Sequence, residues 1–181
     1  MEERAGDWIQ TYTGRQFWPL SPRAEDIDVL DIAHALSNLC RFGGHCVQFY
    51  SVAQHSVLVS QACERMAPEV PGAALWGLLH DASEAYLADV PRPVKPYMTG
   101  YQELETQLQQ AVARRFDLRW PIPEIVKRVD NAILADEMAR LMVAPPADWN
   151  LLEPELGVVF DPMTSVEAER SFLTRFEALL P

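Results

Sequence analysis

A histidine followed directly by an aspartate, His80-Asp81, stands inside the apolar string Leu78-Leu79-His80-Asp81-Ala82-Ser83-Glu84-Ala85. Burying an unpaired charge is costly, so an apolar helix carrying a base beside a carboxylate needs a compensating partner. A divalent metal supplies one. Imidazole nitrogen and carboxylate oxygen are both good ligands, and the cation offsets the carboxylate charge. His-Asp pairs also arise by chance, and a purely structural pair is the competing reading. Three more residues extend the set: His55 upstream, Glu84 one turn after His80, and Asp130 downstream. In a continuous helix His80 and Glu84 share a face, while Asp81 is turned roughly 100° from His80. Two imidazoles and two carboxylates would leave about two positions of a six-coordinate ion for a water and a substrate oxygen. Taken singly, His55 could be a helix-surface histidine and Asp130 a polar-face residue.

These residues need helices to position them, and helical patterning dominates the chain. Asp28 to Leu39 places Val29, Ile32, Ala33, Leu36 and Leu39 on one face, and Gly43-Gly44 follows as a tight turn. Ser51 to about Met66 forms a second helix with Ser51 as N-cap. A third, Gly72 to Leu87, is apolar almost all round and belongs in the middle of a core. Three prolines exclude a regular helix from Asp89-Val90-Pro91-Arg92-Pro93-Val94-Lys95-Pro96. Helices follow over about Tyr101 to Phe116 and Pro123 to Met142. After a Pro-rich connection, Thr164 with Glu167 three residues on announces the last helix by a capping-box pattern, ending near Leu180. The opening segment, Trp8 to Arg23, reads as extended chain or a short hairpin. The expectation is an all-α fold of about six helices. It forms one domain over residues 1–181, with an extended segment over 1–25 and a Pro-rich connection over 145–163.

Composition narrows the function. With 181 residues and 49% hydrophobic residues the chain can bury a substantial core. A net charge of −11 argues against a polynucleotide surface, although local cations and a metal can hold a small phosphorylated ligand. No apolar run approaches the roughly 18 residues of a membrane span. Met1-Glu2-Glu3-Arg4 lacks the basic start of a secretory signal, and the expected location is cytoplasmic. Cys40, Cys46 and Cys63 have no metal-like spacing and read as chemically silent small hydrophobes.

The order His55, His80-Asp81, Asp130 resembles the signature of the HD-domain metal-dependent phosphohydrolases. Three strings carry the likeness further: Leu79-His80-Asp81-Ala82-Ser83-Glu84, Asp89 to Lys95, and Lys127-Arg128-Val129-Asp130. They are similar to the compact single-domain branch that includes bacterial 5′-deoxynucleotidases and phage-type dATP triphosphohydrolases, over roughly Arg41 to Asp130. The resemblance implies an HD-type helical bundle, with His55, His80, Asp81 and Asp130 holding one divalent metal. It implies Glu84 as the residue orienting or deprotonating water for attack on phosphorus, and Asp89 as proton donor to the leaving oxygen. Arg41 would bind phosphate. Phe42 stands where the branch commonly keeps a Trp against the deoxyribose, and Lys95 and Lys127 are further phosphate contacts.

Mixed nitrogen and oxygen ligation admits Mn, Co, Zn, Fe or Mg, with Mn or Co first. The implied activity is hydrolysis of dNMP or of a dNTP such as dATP, by a homo-oligomer with a small nucleotide as partner. A non-catalytic metal- or nucleotide-binding regulator, or a (p)ppGpp or cyclic-nucleotide hydrolase, are the rival readings. Outside the signature, His34 has a packing or surface role, and His45 after the Gly-Gly turn could touch substrate. Tyr12, Phe17 and Trp18 are core aromatics or pocket cover, and Asp136-Glu137 reads as a solvated pair.

Overall fold

The computed structural model describes residues 4–180. The Met1-Glu2-Glu3 stretch considered for a secretory signal lies outside them, as does Pro181. The fold is all-α with a small N-terminal hairpin. Strands β1 (Ile9–Gln10) and β2 (Gln16–Phe17) pair antiparallel with Ile9 opposite Phe17. Between them, Thr13 donates from its backbone N–H and its hydroxyl to Asp31 at 2.7 and 2.9 Å, which ties the hairpin to the first helix. Phe17 is fully buried and stacks on Tyr86. This aromatic serves the core and not the pocket.

All six expected helical stretches are present, as seven helices, and three of these open on a side-chain cap. They are α1 (Val29–Asn38), α2 (Val52–Met66), α3 (Ala73–Leu79), α4 (Glu84–Leu87), α5 (Tyr101–Arg115), α6 (Glu124–Leu141) and α7 (Ser165–Leu179). The Asp28 carboxylate accepts from Leu30 N–H to open α1, and the Ser51 hydroxyl accepts from Gln54 N–H to open α2. Thr164 and Glu167 form the complete capping box of α7. The Asp89–Pro96 segment is irregular up to a single 3-10 turn, Lys95–Tyr97. No described helix is long and apolar enough to cross a membrane.

The expected third helix is two. Helix α3 ends at Leu79, and the chain continues through a tightened turn with bonds from Ala82 N–H to Leu79 O and from Glu84 N–H to Asp81 O. The reason lies in His80, whose Nδ1 donates to Gly77 O at 2.8 Å. In a continuing α-helix that carbonyl would accept from Asp81 N–H. Residues three apart eclipse in such a turn. Asp81 and Glu84 therefore point into one cavity, whereas His80 turns inward, correcting the expectation that His80 and Glu84 share a face.

Helix α2 is the central element, packed against α1, α3, α6 and α7. One apolar cluster joins it to α1, α3, α5 and α7 through residues such as Leu36, Val57, Leu78, Leu108 and Phe172. A second, around Val59, Trp76 and Ile133, joins it to α3 and α6. The closest approach is at Gly77 of α3, where an added Cβ would stand 2.9 Å from Ser60 Cα on α2. Only a residue without a side chain lets the two backbones meet there, and their spacing sets the distance between His55 and His80.

Gly77→Ala should destabilise the protein by about 1–3 kcal/mol through overpacking and lower the thermal midpoint by about 2–4 °C per kcal/mol. Circular dichroism melting measures it, and an unchanged midpoint contradicts the close contact.

Candidate metal centre

Four side chains from α2, the α3–α4 turn and α6 converge. His55 Nε2, His80 Nε2 and a carboxylate oxygen of Asp130 all lie within 4.8 Å of one another. His55 Nε2 is 3.2 Å from Asp130 Oδ1 and 3.3 Å from His80 Nε2. Asp81 Oδ2 stands 3.3 Å from His80 Nε2 and 3.7 Å from His55 Nε2, and Asp130 Oδ1 is 4.0 Å from His80 Nε2. Ligand atoms about 2.1 Å from a shared ion sit about 3.0 Å apart when adjacent in an octahedron and about 4.2 Å apart when opposite. The spacings fit that range.

The imidazole tautomers give a second, independent test of fit. His55 Nδ1 lies 2.6 Å from Glu137 Oε1, and His80 Nδ1 lies 2.8 Å from Gly77 O. Carboxylates and carbonyls only accept, so each Nδ1 carries the hydrogen. In the neutral rings both Nε2 lone pairs then face the same space, which is repulsive unless a proton or a cation lies between them. Such an outer hydrogen bond is how metal-binding histidines are oriented. The charge balance agrees. Asp81, Glu84, Asp89 and Asp130 line the adjoining cavity against Arg41, Arg92 and Lys95, and the fully buried Glu137 adds a further negative charge behind them. The donor set suits a divalent ion with mixed nitrogen and oxygen ligation.

Glu137 is the anchor that sequence reading placed in solvent. It is fully buried and accepts from His55, from the Tyr50 hydroxyl at 2.8 Å and from Arg41 at 3.0 Å. Burial raises its proton affinity, but Arg41 and His55 outweigh this and hold it ionised. Asp136 is buried too, and its two oxygens accept from Leu156 N–H and Val158 N–H at 2.9 and 3.0 Å, pinning the Pro-rich connection. The missed signal for Glu137 was its spacing, seven residues and two helical turns after Asp130, which puts both on one face of α6.

Arg41 lies in a short turn (Arg41–Gly44) whose next residue, Phe42, takes a left-handed backbone with φ 56°. Its guanidinium reaches Glu137 and, at 3.7 Å, Asp81. Burial opposes its charge, yet those carboxylates and Asp130 raise its pKa above the ordinary arginine value. Its Nε is buried without a hydrogen-bond partner, and so is Oε2 of Glu84. Both residues line a cavity of about 840 Å³, a volume in the range of small-ligand sites. Burial first, then Asp81 and Asp89, lift the Glu84 carboxyl well above its usual range. Burial also raises Asp89.

The remaining expectations divide. Phe42, His45, Asp89 and Lys95 line the cavity. Lys95 is bound to Glu105 at 2.8 Å and lies 3.6 Å from Glu84. Lys127 is exposed on the outer face of α6 and is not among the lining residues. Arg92 lines the cavity instead, reaching Asn131 at 2.8 Å and Asp130 at 3.3 Å. His34 stacks on Tyr12 and bonds Glu169 away from the cavity, and Trp18 lies under Arg4. Cys63 is buried, but Cys40 and Cys46 are half-buried with thiols 3.5 Å apart on either side of the Arg41 turn.

No protein-family model matches the chain. It is 35% identical over 176 residues to the uncharacterized protein YfdR of Escherichia coli, covering 95% of each chain. It is also 39% identical over 129 residues to the uncharacterized protein RCAP_rcc00048 of Rhodobacter capsulatus, covering 69% of this chain and 66% of that one. Neither name states an activity.

Burial and Arg41 disfavour the His55 cation, but Glu137 and Asp130 outweigh them and carry its pKa up to about 9. An ion at these donors must displace that proton. Its apparent affinity should therefore rise about tenfold per pH unit from pH 6 towards 9 and then level off. Calorimetric titration with Mn²⁺ measures this, and a pH-independent affinity contradicts it. Glu137→Gln should weaken the ion about 10–100-fold.

Proposed function

The chain belongs to the family of the Escherichia coli protein YfdR, and for this member we propose a cytoplasmic, metal-dependent phosphohydrolase acting on deoxynucleotides. The observation that carries the reading is the pair of Nδ1-anchored imidazoles facing two carboxylates beside a cavity with a buried arginine. When bound, a divalent cation supplies a more acidic water and screens charge on a phosphoryl group.

The protein's own groups divide the rest of the work. Arg41 is held by Glu137 on one side and keeps an uncommitted Nε, a donor suited to a phosphate oxygen. Glu84 offers a carboxylate oxygen without a partner, and its raised proton affinity suits it to take a proton from water. Asp89, raised in the same sense, is the group to return a proton to the departing oxygen. Lys95 bridges Glu84 and Glu105 and keeps Glu84 in place.

Of the two substrate forms, the charge distribution favours dNMP over dNTP. Lys95 and Arg92 are already paired to carboxylates, and Lys127 lies off the cavity. Little cationic capacity is left for the extra charge of a triphosphate.

Purified protein with Mn²⁺ or Co²⁺ should release inorganic phosphate from dAMP faster than it releases triphosphate from dATP, as read by product chromatography. His80→Ala and Asp130→Ala should abolish release. Retained activity in both at wild-type metal content contradicts the proposal. Glu84→Gln should lower kcat about 10²–10⁴-fold. Because Glu84 works ionised and its pKa is raised, wild-type kcat should climb with pH through that pKa, and the variant should lose this rise.

A further inference from the structure

The charged side chains of the cavity are accounted for above, but its apolar wall is not. That wall is made by Phe42, Leu134, Met142, Trp149 and Leu151. Trp149 is the largest of these and comes from the Pro-rich connection between α6 and α7. It belongs to none of the three apolar clusters that form the core. A half-buried tryptophan that leaves the core and lines a cavity offers apolar, planar surface to whatever enters.

Its position is built by local bonds. The Asp148 carboxylate accepts from Asn150 N–H at 2.9 Å, and the Asn150 amide donates to Asp148 O at 3.2 Å, with Asn150 in the left-handed region at φ 49°. Trp149 therefore sits between two residues tied to each other by side-chain hydrogen bonds. Downstream, the Asp136 carboxylate fixes Leu156 and Val158, so the connection is tied back to α6. Beside it, Phe42 has a left-handed backbone, and the two ring centroids are 6.2 Å apart with planes inclined by 57°. Two aromatic rings from segments far apart in sequence thus share the wall of a cavity that Arg41 also lines.

We propose that this wall is a nucleobase subsite, with Trp149 stacking on the base of the nucleotide whose phosphate lies at Arg41. The inference rests on the phosphohydrolase reading and adds the residue that recognises the nucleoside. A ligand with a phosphate and a flat ring matches a cavity whose lining holds both charged and aromatic side chains, with the Phe42 ring 5.5 Å from the Arg41 guanidinium and Trp149 beyond it. The cavity's volume of about 840 Å³ falls within the range of small-ligand sites. Stacking of a base on an aromatic side chain is tolerant of base identity, so Trp149 separates nucleotides from other phosphate esters more strongly than it separates one base from another.

The test compares Trp149→Ala and Trp149→Phe with wild type, using the KM for dAMP and the inhibition constant of 2-deoxyribose 5-phosphate, which has no base. Trp149→Ala should raise the KM for dAMP about tenfold or more and leave inhibition by the sugar phosphate unchanged. Trp149→Phe should recover most of the loss. An unchanged KM in Trp149→Ala overturns the stacking role, and equal weakening of both ligands overturns it by showing general collapse of the loop. A wild-type protein that hydrolyses no nucleotide but binds dAMP with Trp149-dependent affinity would sink only the phosphohydrolase reading. One that does neither sinks both.

Discussion

Two imidazole nitrogens, His55 Nε2 and His80 Nε2, face each other at 3.3 Å because each ring has committed its other nitrogen elsewhere. His55 donates to a buried carboxylate and His80 to a backbone carbonyl of its own helix. Neither ring can rotate to relieve the confrontation without leaving a buried acceptor unpaired, which costs about 1–3 kcal/mol for each group. The pair therefore calls for a positive charge between the two lone pairs. A proton answers that call in the metal-free protein, consistent with the raised pKa of His55. With Asp81 and Asp130 alongside, a divalent ion answers it more completely.

The same requirement organises the surroundings. Glu137 fixes His55 with one oxygen and Arg41 with the other, so the residue that orients a metal donor also orients the cation proposed to hold phosphate. Tyr50, immediately before the Ser51 cap of α2, closes the network from behind. On the other flank the His80 ring takes the Gly77 carbonyl, which ends α3 and tightens the following turn. That turn swings Asp81 and Glu84 into the cavity together. Gly77 thus acts twice, once as the contact that lets α2 and α3 meet and once as the acceptor that breaks the helix.

Much of this was legible in the residues. Apolar spacing located the helices, and Ser51 and Thr164 marked two of their starts because a side-chain oxygen there meets free N–H groups. The order of His55, His80, Asp81 and Asp130 marked residues that do converge. The break after Leu79 was not legible, since an apolar run gives no sign that a histidine ring will compete for a carbonyl within it. Asp136-Glu137 looked like a solvated pair because two adjacent carboxylates usually are. Only the two-turn spacing from Asp130 distinguishes Glu137. Lys127 sits between Val126 and Val129, both buried, and that spacing alone turns it outward. Trp149 lies in a stretch without periodicity, where no pattern says which way a side chain faces.

The central claim is that the two facing imidazoles and their carboxylates hold one divalent ion. X-ray absorption on the protein loaded with Co²⁺ reads the shell directly. The account predicts one ion per chain, with two imidazoles and oxygen ligands around it and one imidazole fewer in His55→Ala. An all-oxygen shell, or a shell unaltered in that variant, would contradict it.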